Sequence, residues 1–155
     1  MCIRDRCDGT VIAVAGLDRM GMSEVITEYL SPEQFVPPPG QGAMAVEIRA
    51  NDERTAELVA SADHAPTAAA VRAERSFLEA LGGGCQVPVG AYAEFDSSDS
   101  LRLTVFMAAP DGSTTYRITV TGAPPDPVGL AAEAWEILRE QGAAGLLTTA
   151  DKNDG

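Results

Sequence analysis

TAAAVRAERSFLEALGGGCQVPVGAYAEF, Thr67 to Phe95, changes its hydrophobic period part-way along. Up to Leu81 the apolar residues recur at helical intervals. From Val87 they alternate, with Val87, Val89, Ala91, Ala93 and Phe95 on one side. The first pattern predicts a helix and the second a half-buried strand. Gly82 to Gly84 stand where a helix is closed by residues free to turn left-handed. Two more alternating runs follow: Leu101, Leu103, Val105 and Met107, then Tyr116, Ile118 and Val120. The turn-formers DSSDS and PDG join these runs, which predicts an antiparallel meander. PDPVGLAAEAWEILREQG then reads as a helix capped by Asp126, with Pro127 at its first position and Gly142 beyond its end. Its buried stripe is Ala131, Ala134, Trp135 and Leu138. The second block is therefore α+β, a three-stranded antiparallel sheet packed against helices.

Working back from Thr67, the pattern loosens. TVIAVAGLDRMG is apolar and small enough to be buried helix or buried strand. SEVITEYL predicts a short helix with Ser23 as cap and Val25, Ile26, Tyr29 and Leu30 on one face. The prolines and glycines of SPEQFVPPPGQGAM form a rigid, extended connection. AMAVEIR alternates Met44, Val46 and Ile48 against Ala45, Glu47 and Arg49, predicting a half-exposed strand. NDERTAELVASA predicts a helix capped by Asn51 or Asp52. These segments are too few to close a core of their own, and the first block reads as part of something larger.

The totals narrow the function. The chain has 155 residues, 45% apolar and 22% charged, the balance of a soluble globular protein. Its longest apolar run, Val11 to Leu17, is far short of the roughly 20 residues a membrane helix needs. MCIRDRCDG has no apolar stretch with a small-residue cleavage site behind it, so no secretory signal is read. A formal charge of −12 argues against nucleic acid, which is bound through Lys and Arg. The three cysteines Cys2, Cys7 and Cys85 have no framework spacing, and with His64 the only histidine no metal site is expected. A reducing cytoplasm is the natural reading.

Four features carry chemistry. Arg75 lies four residues after Val71 and three before Leu78, within or beside the stripe of Val71, Phe77, Leu78 and Leu81. It is either a guanidinium at the edge of the core or one held inward for an anion. Arg19 and Arg49 are each a simple chain-end charge singly, and with Arg75 a carboxylate-binding cluster. Gly40, Gln41 and Gly42 permit close backbone approach and can donate N–H groups outward, or form a plain hinge. Cys85 is a small buried hydrophobe, or an open thiol able to act as nucleophile or attachment point. His64 offers no obvious base for it.

Taken in order, AGLDRMG, PPPGQGAMAVEIR and TAAAVRAERSFLEALGGGCQVPVGAYAE resemble the porphobilinogen deaminases, or hydroxymethylbilane synthases. The resemblance spans residues 9–148. It implies a transferase of tetrapyrrole (haem) biosynthesis, which condenses four porphobilinogen units head to tail on a dipyrromethane primer and releases hydroxymethylbilane. Cys85 matches the cysteine that forms a thioether to that cofactor. Arg19, Arg49 and Arg75 match arginines that bind the acetate and propionate groups of the growing oligopyrrole, and Gln41 and Gly42 match cofactor contacts. Residues 1–8, without periodicity and with two cysteines and a cluster of mixed charge, read as a non-native or truncated start. Residues 9–42 correspond to the end of a second domain and hinge, and 43–62 to a returning segment of the first, both periplasmic-binding-protein-like α/β domains. Residues 63–150 correspond to the third, cofactor-anchoring domain and 151–155 to a tail. The catalytic aspartate of the family matches nothing here, so the chain reads as a C-terminal fragment inactive alone, from a monomeric parent. A non-catalytic polyanion-binding module of the same origin is the alternative.

Overall fold

The computed structural model describes residues 8–82, 87–122 and 126–150, the side chains of 148–150 excepted. The predicted meander is present. Strands β1 (Val89–Phe95), β2 (Leu101–Ala108) and β3 (Thr115–Gly122) pair antiparallel in sequence order. Ala91 stands opposite Val105, and Val105 opposite Ile118. This register gathers the alternating apolar residues on one face, where Ala91, Ala93, Leu101, Leu103, Val105, Met107 and Val120 are buried.

Two helices cover that face. Helix α3 (Ala65–Ala80) contributes Ala73 and Phe77, and α4 (Pro127–Glu140) contributes Leu130, Ala131, Ala134 and Leu138. Trp135 is only half-buried at the rim of this core. Both helix ends follow their local chemistry. The Asp126 carboxylate accepts the Gly129 N–H at 2.7 Å, satisfying a first-turn donor of α4. Gly82 takes φ +79° just past α3 and donates its N–H to Glu79 O at 3.0 Å. Helix α3 starts two residues before the predicted Thr67, with Pro66 in its first turn. A short α5 (Ala144–Ala150), not predicted, lays Leu146 and Leu147 against the core behind a fully buried Ala143.

Residues 8–62 depart further from expectation. Val14–Arg19 forms α1 and Glu53–Ala60 forms α2, the latter capped by Asp52, whose carboxylate accepts the Thr55 N–H at 3.0 Å. The helix expected over SEVITEYL is a single 3-10 turn, Ser23–Val25. The Ser23 hydroxyl donates to Asp18 Oδ1 at 2.6 Å instead of capping. At the β-branched Ile26 the backbone is already extended, with too little packing surface to repay helical ordering. The strand expected at AMAVEIR does not form. Its alternation is real but finds no partner strand, and Met44 and Val46 stand 76% and 64% exposed.

The proline-rich connection runs across the outer side of the sheet. Arg117 of β3 reaches Pro32 O at 3.5 Å. Val36 passes so close to Gly90 that a Cβ there would sit 2.7 Å from Val36 O. Gly90 is therefore a strand residue whose missing side chain admits the crossing backbone, not part of the cysteine loop. Next, Pro37 O accepts the Ala91 N–H at 2.9 Å along the open edge of β1.

Candidate functional site: the Gly40 turn and the base of the cysteine loop

The turn that ends this crossing uses its glycines. Gly40 and Gly42 take φ +76° and +84°, a region that L side chains avoid. Gln41 N–H donates to Pro38 O at 3.2 Å and Ala43 N–H to Gly40 O at 3.3 Å. Gln41 and Gly42 themselves are exposed, free for a ligand to approach.

One side chain joins this turn to the sheet. Glu74 of α3 is 6% exposed, the single buried charged residue among those described. Its Oε2 accepts the Gly40 N–H at 2.7 Å, and its Oε1 accepts the Ala93 N–H of β1 at 2.8 Å. Burial raises its pKa above the ordinary 4.5, against the pull of the Ala93 and Gly40 amides. Of the two readings of Arg75, at the edge of the core or held inward, the inward one is corrected. Arg75 is exposed and Glu74 is inward, because the buried stripe of α3 runs through Ala70, Ala73, Phe77 and Leu81 rather than Val71 and Leu78. Sequence reasoning missed Glu74. Its signal was the alanines: with Ala70 and Ala73 counted as core, position 74 falls inside the stripe.

The remaining predicted residues lie on the surface. Arg19 ends α1 and is exposed. Arg49 is 91% exposed and pairs loosely with Asp52 at 3.9 Å. It lines both shallow depressions at residues 47–55, which take in neither Arg19 nor Arg75. Neither depression brings the three arginines together. Among the described residues Arg19 and Arg75 form no ion pair, as do Arg54 and Arg72, whereas Arg102 and Arg139 are matched to Glu94 and Glu136. His64 precedes α3, its ring Nδ1 2.8 Å from the Thr67 hydroxyl. Cys85 lies outside the described residues; its loop leaves α3 through Gly82 and enters β1 after the buried Val87.

Comparison with known proteins accounts for both halves of this arrangement. Residues 2–57 match the family model described as porphobilinogen deaminase, dipyromethane cofactor binding domain. Residues 68–140 match that described as porphobilinogen deaminase, C-terminal domain. The chain belongs to the porphobilinogen deaminase family. The porphobilinogen deaminase of Oceanobacillus iheyensis is 50% identical over 137 residues, 88% of this chain and 43% of the relative. That of Brevibacillus brevis is 44% identical over 140 residues, 90% and 45% respectively. That of Geobacillus kaustophilus is 46% identical over 149 residues, 96% and 47%. The chain therefore spans a little under half the length of the curated relatives it matches. Arg19, Gln41, Gly42 and Arg49 fall in the cofactor-binding match, and Arg75 and Cys85 in the C-terminal match. Glu74 bonds a residue of each.

Proposed function

We propose that this chain carries the cofactor-anchoring part of a porphobilinogen deaminase (hydroxymethylbilane synthase), with dipyrromethane attached through a thioether to Cys85. The reading is carried by the match of one chain to both the cofactor-binding and the C-terminal domain of that family. The residues present suit such a group. Each pyrrole ring bears two carboxylates, and Arg19, Arg49 and Arg75 keep exposed guanidinium groups in a protein of net charge −12. A guanidinium fork can take a carboxylate with two parallel hydrogen bonds. Gly40 and Gly42 let a planar ring approach the backbone of Gln41, with no side chain in the way. Bound at Cys85, the dipyrromethane supplies a primer for head-to-tail condensation of four porphobilinogen units with loss of ammonia, and hydrolysis then frees hydroxymethylbilane. Cys85 acts as a tether throughout, its sulfur retaining the primer as product leaves.

On this reading residues 9–42 and 43–62 belong to two periplasmic-binding-protein-like α/β domains, and 63–150 is the third domain. The other segments of those two domains lie in the half of the relatives that this chain does not span. The residue that handles the pyrrole nitrogens lies there as well, so the chain by itself has no deaminase activity. The assembled enzyme works as a monomer in the cytoplasm. Its partners are porphobilinogen and the growing oligopyrrole, not nucleic acid or membrane.

The test is intact mass spectrometry of the chain fused behind the N-terminal half of the Geobacillus kaustophilus relative. The fusion should carry the added mass of a dipyrromethane, and Cys85→Ser should lose it. A Cys85→Ser protein that kept the adduct would overturn the assignment.

A further inference from the structure

Nothing in the proposed chemistry uses Glu74, yet it is the described side chain whose burial is hardest to account for by packing. A buried carboxylate is costly unless well partnered, and no cation among the described residues pairs with this one. Its two partners are both backbone donors. Strand β1 is an edge strand, and the amides of Ala91 and Ala93 point outward along it. Pro37 O takes the first and Glu74 Oε1 the second, so the edge is closed as if another strand lay there. Glu74 Oε2 then takes the Gly40 N–H. An amide side chain offers one oxygen, and an apolar one none; only a carboxylate presents two acceptors to two donors.

The location gives this bridge its consequence. The cysteine loop leaves α3, which bears Glu74, and enters β1, which bears Ala93. The Glu74–Ala93 bond therefore ties together the two elements that flank that loop, and the Glu74–Gly40 bond fixes the Gly40–Gly42 turn to the same carboxylate. We propose that Glu74 is a positioning residue that sets the Gly40–Gly42 turn against the base of the Cys85 loop. It thereby holds the backbone meant to face the pyrrole rings to the two elements that flank that loop. What the turn meets rests on the proposed function; the mechanical coupling does not.

The coupling is read in the 155-residue protein by NMR. In Glu74→Gln the Gly40 and Ala93 amide protons should move upfield, as charge-assisted bonds are lost. Gly40 exchange should accelerate about tenfold, the equivalent of one such bond, while β2 amides such as Leu103 and Val105 stay protected. Unchanged Gly40 exchange, or equal acceleration of Gly40 and the β2 amides, would overturn the proposal, the latter marking Glu74 as a folding residue only. If the variant does not fold, the wild-type protein decides. Through-hydrogen-bond couplings from the Gly40 and Ala93 nitrogens should both reach the Glu74 carboxyl carbon, and absence of the Gly40 coupling would refute the bridge. Neither readout involves a pyrrole, so a failed Cys85 experiment leaves this one standing.

Discussion

Glu74 and Arg75 are neighbours in sequence and about 100° apart on a helix, and that angle decides which is structural and which is free. Counting only large apolar residues points the stripe of α3 at Val71 and Leu78 and leaves Arg75 the inward anomaly. The structure packs α3 closely through Ala70 and Ala73, which turns Glu74 inward and Arg75 out. Small residues carry little hydrophobic signal yet mark where two elements come nearest, which is why this part of the site was illegible. Burial also gives Glu74 a pH signature. Its folded-state pKa lies above its unfolded value, so the native state binds the extra proton. Its contribution to stability is fully present below the ordinary 4.5 and is lost as pH rises through the raised value. Asp52, Asp96 and Asp111 have lowered values through hydrogen bonds from Thr55, Ser98 and Ser113, and act in the opposite sense. Near Glu74 the other titratable group is Tyr92 on β1, with Glu94 and Arg102 beyond it; burial raises the Tyr92 pKa and keeps it neutral throughout this range. Subtracting the Glu74→Gln denaturation curve from wild type therefore isolates one group. The difference should favour wild type more at pH 4 than at pH 7, and a difference growing with pH would show that its hydrogen bonds outweigh its burial.

At the scale of elements, legibility followed packing. The three strands and the helices flanking them were readable because each places a periodic apolar face on the shared core. Sequence period and burial then report the same thing. The alternation of Met44, Val46 and Ile48 was as regular as that of β3, but no neighbouring strand supplies the other half of the ladder, and period alone cannot reveal a missing partner. Helix α4 shows how a local signal becomes a global one. Asp126 satisfies the Gly129 amide at the start of α4, and α4 carries Leu130, Ala131, Ala134 and Leu138 into the core. Asp126→Ala should lower unfolding free energy by about 1 kcal/mol, the usual worth of an N-cap. Because α4 has no independent stability, the loss should appear in urea denaturation as a shifted midpoint at constant slope. A changed slope would mean that α4 frays separately from the sheet.

Across the whole molecule, burial is divided sharply. Every buried residue among those described lies between Ala73 and Ala143, while eleven of the twelve exposed large hydrophobic residues, Val11 to Leu58, precede that block. Residues 8–62 contribute no core, but the stretch from Pro32 to Gly40 does structural service: it meets Arg117, admits Val36 against Gly90, closes the β1 edge through Pro37 and receives Glu74. Two truncations should separate these roles. Residues 32–150 keep the closed edge and shed Val11, Ile12, Met20, Met22, Val25, Tyr29 and Leu30, so this piece should stay monomeric and bind less of a hydrophobic dye than the full chain. Residues 63–150 keep the whole core and the Glu74–Ala93 bond but bare the Ala91 amide and Glu74 Oε2. An open, regular strand edge recruits another, so this shorter piece should fold and then self-associate through β1. Sedimentation velocity distinguishes the outcomes: if residues 63–150 remain monomeric at concentrations where the longer piece does, the proline-rich crossing is not what protects the sheet.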